Sequence, residues 1–551
     1  MIFLLLFLLG AAEARKQYVS VWPDVTIKTK GEIWPLPQFF EKTNKTWRLD
    51  PNNLVITEST HCEIITEAIK RYREIFCKHL NIADDDPQTE TLKSLEIILS
   101  QCSSDVPQSD MDESYKINIT SENAVIKAAN VWGALRGLES FSQLIHSNEK
   151  SECQINGAIV RDFPRFQHRG VLLDTSRSST QILLISLLNL KHFLSLNALK
   201  ATIELMAQNK FNVFHWHIVD EQSFPYDSKV LPLLKKGAFT PRHVYTIEDV
   251  KDIIEYARLR GIRVVPEFDT PGHARSWGFG YPDLLSRCFY DDGKEDFYRC
   301  LVDPTQQDTW DIMLSLFQEV FEVFPEEYVH LGGDEAEFWT SHCWKNNENI
   351  TNFMKVLELN DTRQLQAWYF DHLLAILRLS KTGRQKTFLV WQEAVETNVQ
   401  VEGLIGHVWK GSSHEQYSNY LKSVTSKGYR AIFSSCWYLD RISTSVEWRG
   451  YYSCDPQDFN GTAEEKKLVI GGEAALWGEW VDDSNVVSRL WPRASAVAER
   501  LWSDQNSTSD VNAAWPRLYE MQCRMKARGY PAQPVNGPDY CEFEYESNLP
   551  V

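Results

Sequence analysis

The sequence predicts an α/β protein: a (β/α)8 TIM barrel over residues 166–551, preceded by a smaller α+β domain, a sheet plus helices, over residues 15–165. Three observations predict it. Eight apolar, β-rich runs follow residue 165, amphipathic helical stretches lie between them, and each run ends in polar or aromatic residues. Parallel strands covered on both faces read as apolar runs, and a barrel of this kind builds its site where the runs end.

The elements follow in chain order. Residues 1–14, "MIFLLLFLLGAAEA", hold an apolar run from Ile2 to Leu9 and then Ala12-Glu13-Ala14, the A-x-A form of a cleavage site, so they read as a signal peptide. That run is too short to cross a bilayer, and no later stretch is long enough. The rest of the chain is expected in the secretory pathway, where the N-x-[ST] sequons at Asn44, Asn118, Asn349, Asn360, Asn460 and Asn506 are candidate glycosylation sites. Before residue 165 lie "ESYKINIT", "ENAVIKAAN" and the helix-like "VWGALRGLESFSQLIH", a mixture of strand and helix without obvious catalytic groups. The barrel strands are then "HRGVLLDTS", "NVFHWHIVD", "IRVVPEFDTPGH", "YVHLGGDE", "TFLVWQEA", "GHVWKG", "AIFSSCWYL" and "LVIGGEAALWGE". Helical periodicity fills the gaps, as in "TIEDVKDIIEYARLRG" and "TWDIMLSLFQEVFEVF".

A formal charge of −18 argues against nucleic acid or an anionic membrane as partner, because like charges repel well before contact. Neutral sugars and small molecules stay open. All eleven cysteines follow the cleavage site and lack zinc-site spacings, so disulfides are expected, with one thiol left over.

The run "VHLGGDEAEFW" sets Asp334 beside Glu335 behind a double glycine. A glycosidase that uses two acids commonly holds them about 5–10 Å apart, flanking the bond. Neighbours in sequence cannot easily flank anything. Together with "EFDTPGH", "HWHIVD", "VLLDTSR", "VIGGEAALWGE" and "RLWPRASAVAERLW", this motif resembles the β-N-acetylhexosaminidases of glycoside hydrolase family 20, especially animal lysosomal subunits, from about residue 33 to residue 545. The resemblance implies an exo-acting enzyme that removes terminal β-linked GlcNAc or GalNAc with retention and needs no cofactor. In that family the substrate's own 2-acetamido oxygen attacks the anomeric carbon, giving an oxazolinium-like intermediate.

Residue by residue, the resemblance makes Glu335 the proton donor and later the base for water, and Asp334 the carboxylate that orients and stabilises the acetamido group. Tyr438 matches the hydroxyl that hydrogen-bonds the acetamido oxygen. Trp391, Trp409 and Trp477 match the aromatic walls around the sugar. Arg177 and Glu479 match groups that hold sugar hydroxyls, as does Asp440, while Asp220 and His273 match groups beside the catalytic acids. The partner is then an oligosaccharide or glycoconjugate, the assembly a homodimer formed through barrel loops, and the location lysosomal or extracellular.

Two other classes share some of these features. His215 and His217 alternate on one strand in the H-x-H arrangement of metal-dependent amidohydrolase barrels. That class needs further ligands after later strands, but the ends of strands five, six and eight carry tryptophan, lysine and glutamate, so no metal is expected. An inactive, lectin-like homologue would keep the tryptophans and lose an acid, whereas both acids are present.

The sequence also departs from the family. Asp440-Arg441 combines the neutral-sugar residue of one subunit type with the acidic-sugar residue of the other, and "CFYDDGKEDFYRC" lacks the stretch that engages a lipid-activator protein. The resemblance implies disulfides Cys62 to Cys102, Cys288 to Cys343 and Cys523 to Cys541. Cys77, Cys153, Cys300, Cys436 and Cys454 have no clear counterpart, although Cys436 with Cys454 would close a short loop beside Tyr438. Finally "SSTQILLISLLNLK", residues 178–191, interrupts the first strand, loop and helix directly after Arg177, and reads as an artefact of gene-model translation or a minor splice form.

Overall fold

The computed structural model describes residues 28–82, 90–102, 105–177, 193–297, 299–380, 385–397, 403–441, 446–537 and 540–545. The signal peptide, residues 1–14, and the inserted stretch, residues 178–191, lie outside the described residues.

The N-terminal part is a seven-stranded mixed sheet in the order Phe39–Arg48, Cys153–Asp162, Tyr115–Ile119, Asn123–Ala128, Ser94–Leu99, Val55–Glu58, with Ile145–Ser147 paired to Cys153–Asp162. Helix Val131–Gln143 packs on it and is buried along its whole length. Its small residues allow that approach. A Cβ on Gly133 would stand 2.1 Å from the Ser114 carbonyl oxygen, and one on Gly137 would stand 2.6 Å from Ile126. The Asn130 side chain caps the helix, accepting from the Trp132 N–H at 3.0 Å.

Each of the eight apolar runs supplies one strand of a closed parallel barrel: His168–Asp174, Val213–Val219, Arg263–Phe268, Tyr328–His330, Thr387–Trp391, Ile405–Val408, Arg430–Phe433 and Val469–Leu476, the last pairing with the first. Alternate residues point inward and fill the barrel in layers. The lowest is apolar, from Val213, Val265, Tyr328, Leu389, Ile405 and Ile432. Above it the layer is polar, with His215, Glu267, His330, His407 and Glu473 all fully buried. Gly170 makes room for it, since a Cβ there would stand 2.5 Å from the Glu473 side chain. At the top, Leu172, Ala475, Trp391 and Trp477 meet Trp409 and Tyr438.

The N-terminal helix is tied to the barrel floor by a buried cluster. Glu113 accepts from Arg136 Nε at 2.8 Å and from Arg169 Nη2, at the start of the first barrel strand, at 2.6 Å. Arg136 also donates to the Gly261 carbonyl at 2.8 Å. Burial alone would raise the Glu113 carboxyl, yet the two guanidiniums hold it below the usual carboxylate range.

Five disulfides are present among the described residues: Cys62 to Cys102, Cys77 to Cys153, Cys288 to Cys343, Cys436 to Cys454 and Cys523 to Cys541. Cys300 is the free cysteine among the described residues, its thiol pushed up to about 11 by burial. All six sequon asparagines are exposed. Among the described residues, no helix is long and apolar enough to cross a membrane.

Glu113→Ala leaves Arg136 and Arg169 buried and uncompensated, and is expected to cost about 3–5 kcal/mol. Denaturant unfolding with an unchanged slope and a lowered midpoint is the expected result; an unshifted midpoint contradicts the role given to the cluster.

Candidate active site

The double glycine is a steric requirement. As the chain leaves the fourth strand it turns through Gly332 at φ 74° and Gly333 at φ 104°, where a Cβ would stand 1.7 Å from Asp269 Oδ1 and 2.7 Å from Phe370 respectively. Asp269 accepts from the Gly333 N–H at 3.0 Å, which brings the following residues over the barrel mouth. Glu335 is left-handed as well, at φ 54°, and so is His273, at φ 53°, after the third strand. Non-glycine residues held in that region concentrate strain at the site.

His273 organises the two adjacent acids. Its Nε2 lies 3.6 Å from Asp334 Oδ2 and 3.6 Å from Glu335 Oε2, while Nδ1 lies 3.2 Å from Asp220 Oδ1. Both acids therefore converge on one imidazole from the same side of the mouth. Burial would keep the ring neutral, but Asp220 and Asp334 push it up to about 9, so it is cationic at neutral pH. Burial and the neighbouring Asp334 charge both raise the Glu335 carboxyl, which favours its acid form. Asp220 is held well below the usual range despite its burial, because Arg177 and His273 face it. Arg177 Nε donates to Asp220 Oδ2 at 2.9 Å, its Nη1 lies 3.6 Å from Glu479 Oε1, and its guanidinium sits 4.2 Å over the Trp477 ring.

Aromatic walls stand beside these charges. Trp391 crosses Trp409 at 6.4 Å and Trp477 at 6.0 Å between ring centroids, and Tyr438 stacks on Trp409 at 6.2 Å. Trp477 is 5% exposed and Trp391 1%, so Trp391 forms the floor. Asp334 Oδ1, Arg177 Nη2 and Asp440 Oδ1 are buried polar atoms without a protein partner. Such atoms call for one. A compact, partly apolar ligand that offers an N–H to Asp334 and hydroxyls to Arg177 and Asp440 meets that need. Arg441, next along, is exposed.

All eleven candidate residues thus come to one mouth, and the structure adds others. Asp174 accepts from the backbone N–H groups of Arg177 at 3.0 Å and Gly478 at 2.9 Å, clamping the first and eighth strand ends together. Glu393 accepts from Trp409 Nε1 at 2.9 Å and lies 3.0 Å from Lys410 Nζ, its carboxyl pushed up to about 7 by burial. A charged residue in the apolar run "TFLVWQEA" was the available sign of it.

His215 and His217 both turn inward, as the H-x-H spacing predicts. His407, inside the sixth strand, joins the same layer, a residue missed by reading only the strand ends. Ligand-type atoms of His215, Glu267 and His330 lie within 4.8 Å of one another, as do those of His215, His407 and Glu473. Those atoms already engage one another, with His215 Nδ1 2.7 Å from Glu473 and His217 Nδ1 2.7 Å from Glu267.

Residues 166–505 match "Glycosyl hydrolase family 20, catalytic domain" and residues 33–144 match "beta-acetyl hexosaminidase like". The chain is 40% identical over 532 residues to beta-hexosaminidase A of Caenorhabditis elegans, covering 94% of this chain and 93% of that protein. It is 42% identical over 536 residues to beta-hexosaminidase subunit beta of Homo sapiens, covering 95% and 92%. Among solved structures, the chitobiase of Flavobacterium johnsoniae superposes with a TM-score of 0.76 at 29% identity, over 90% of this chain and 73% of that one.

The electrostatics make one direct prediction. Glu335 should titrate above an ordinary glutamate, and Asp334→Asn should bring it down by removing the like charge. Carbon-13 NMR of the labelled carboxyl groups checks both, and a Glu335 titration indifferent to Asp334 contradicts the arrangement.

Proposed function

The chain belongs to glycosyl hydrolase family 20, and on that premise we propose that it is an exo-acting β-N-acetylhexosaminidase, removing terminal non-reducing β-linked GlcNAc or GalNAc from glycans, glycoconjugates or chitin oligosaccharides. The observation that carries the reading is the convergence of Asp334 and Glu335 on the single nitrogen of His273. Both acids stand on one side, so the nucleophile is taken to be the substrate's acetamido oxygen.

In the proposed reaction that oxygen bonds to the anomeric carbon as the glycosidic bond breaks, and Glu335 passes its proton to the departing oxygen. Asp334 accepts from the acetamido N–H and balances the positive charge that develops on the oxazolinium. Tyr438 donates to the acetamido oxygen, and Trp391, Trp409 and Trp477 enclose the methyl and the ring face. Glu335, now a carboxylate, takes a proton from water as that water attacks the same carbon, the bond from that carbon to the acetamido oxygen breaks to restore the neutral acetamido group, and the configuration is retained. The cationic His273 beside it stabilises the carboxylate between the two steps.

Arg177, Asp440 and Glu479 are assigned to sugar hydroxyls. Asp440 fits neutral sugars, and the exposed Arg441 beside it is the group able to meet a sulfated or sialylated one. Five disulfides and six exposed sequons support passage through the secretory pathway, to the lysosome or outside the cell, with a homodimer as the assembly. Neither the amidohydrolase nor the lectin reading accounts for two adjacent acids that converge on one imidazole nitrogen.

Glu335→Gln is expected to abolish turnover of natural glycosides while sparing the first step on dinitrophenyl β-GlcNAc, whose leaving group departs without a proton. Equal losses on both substrates would remove Glu335 from the acid role.

A further inference from the structure

The ladder of charges above the barrel does not stop at Asp220. His217, on the second strand, is fully buried with a carboxylate on each ring nitrogen: Nε2 lies 3.0 Å from Asp220 Oδ2 and Nδ1 lies 2.7 Å from Glu267 Oε2. Glu267, on the third strand, is fully buried too. Its Oε1 accepts from the indole Nε1 of Trp391 at 2.7 Å and lies 3.1 Å from His330 Nδ1, while Oε2 lies 3.1 Å from His215 Nε2. One carboxylate thus holds the floor of the aromatic cradle with one oxygen, and with the other reaches Glu335 through His217, Asp220 and His273.

We propose that Glu267 and His217 are a positioning pair for the reaction, Glu267 fixing the acetamido-facing Trp391 and, through His217 and Asp220, fixing the imidazole that supports the proton donor. The proposal rests on Glu335 being that donor. Its physical basis is the alternation of sign along the chain: Glu267 anionic, His217 cationic, Asp220 anionic, His273 cationic, with Asp334 and Glu335 at the end. Each ring has a fixed partner on both nitrogens or faces the acids, so neither can rotate without leaving a buried charge unpaired. Burial opposes the charge on His217, and the Glu267 and Asp220 carboxylates more than restore it.

Around His217 stand Glu267, Asp220 and the Asp174 carboxylate, with the Trp477 ring edge-on at 5.0 Å between centroids. Around Glu267 stand His215 and His217 from the second strand, His330 from the fourth, Trp391 from the fifth and Asp269 from its own. Around Asp220 stand Arg177, His217 and His273. Structural stability alone does not call for such a chain, because an apolar layer like the one beneath it would fill the barrel without desolvating charges.

The test compares phenyl and dinitrophenyl β-GlcNAc. His217→Asn breaks the route to the donor and leaves Glu267 on Trp391, so kcat/KM on the phenyl glycoside should fall about 10²-fold, with kcat/KM on the dinitrophenyl glycoside, which reports only the first step, nearly unaffected and a thiazoline mimic of the intermediate bound as before. Glu267→Leu should give the same leaving-group dependence and also weaken the thiazoline, because leucine cannot accept from the Trp391 indole N–H. In a Glu335→Gln background, His217→Asn should add no further loss to the residual kcat/KM on the phenyl substrate. Equal losses on both glycosides, or additive losses in the double variant, overturn the proposal. If Glu335→Gln alone fails to spare the dinitrophenyl substrate, it is the donor assignment that fails instead. Nitrogen-15 NMR of the unmodified protein gives an independent measure: both ring nitrogens of His217 should be protonated at neutral pH, and a neutral tautomer overturns the pairing.

Discussion

His273 keeps its charge in a buried place because Asp220 stands at one nitrogen and Asp334 near the other, and most of the barrel mouth is arranged around that fact. The ring is where two neighbouring acids become different. Glu335 is partly open to solvent and is pushed toward its protonated form by burial and by Asp334, while Asp334 keeps one buried oxygen without a hydrogen-bond partner. Two carboxylates so placed cannot work from opposite faces of a sugar. Chemistry that needs only one face, with the other supplied by the substrate, suits them.

The backbone is bent to make this possible. Gly332 and Gly333 let the chain pass against Asp269 and Phe370, and the left-handed turns at Glu335 and His273 aim both side chains inward. A backbone strained in this way survives only when its surroundings fix it strongly. The clamp at Asp174, the disulfide from Cys436 to Cys454 beside Tyr438, and the polar layer below all contribute to fixing the mouth. The Glu113 cluster does the same work at the opposite end, where the N-terminal helix meets the barrel floor.

Much of this was legible in the sequence, for physical reasons. Parallel strands covered on both faces must be apolar, so runs such as "HRGVLLD" and "VFHWHIV" show themselves, and the polar residues at their ends show the mouth. Adjacent acids after a double glycine made Asp334 and Glu335 visible, and the remaining site residues came through resemblance. Of the interior polar layer, the sequence singled out only His215, through its H-x-H spacing. His407 sits inside the apolar run "GHVWKG" and Glu473 inside "VIGGEAALWGE", where the motif marks the run and gives that residue no role, and their meaning comes from neighbours on other strands. Glu267 was hidden in "EFDTPGH" behind its more conspicuous histidine. The pairing of Cys77 with Cys153 depended on the fold of the N-terminal sheet, which spacing does not encode.

The nucleophile we propose is the acetamido oxygen of the substrate. A series of aryl N-acyl-β-glucosaminides in which the acetyl methyl carries none, one, two or three fluorines probes that oxygen, because fluorine withdraws electrons from it without greatly changing its size. The account predicts that kcat/KM falls steeply with each fluorine. A rate that stays level across the series would contradict it.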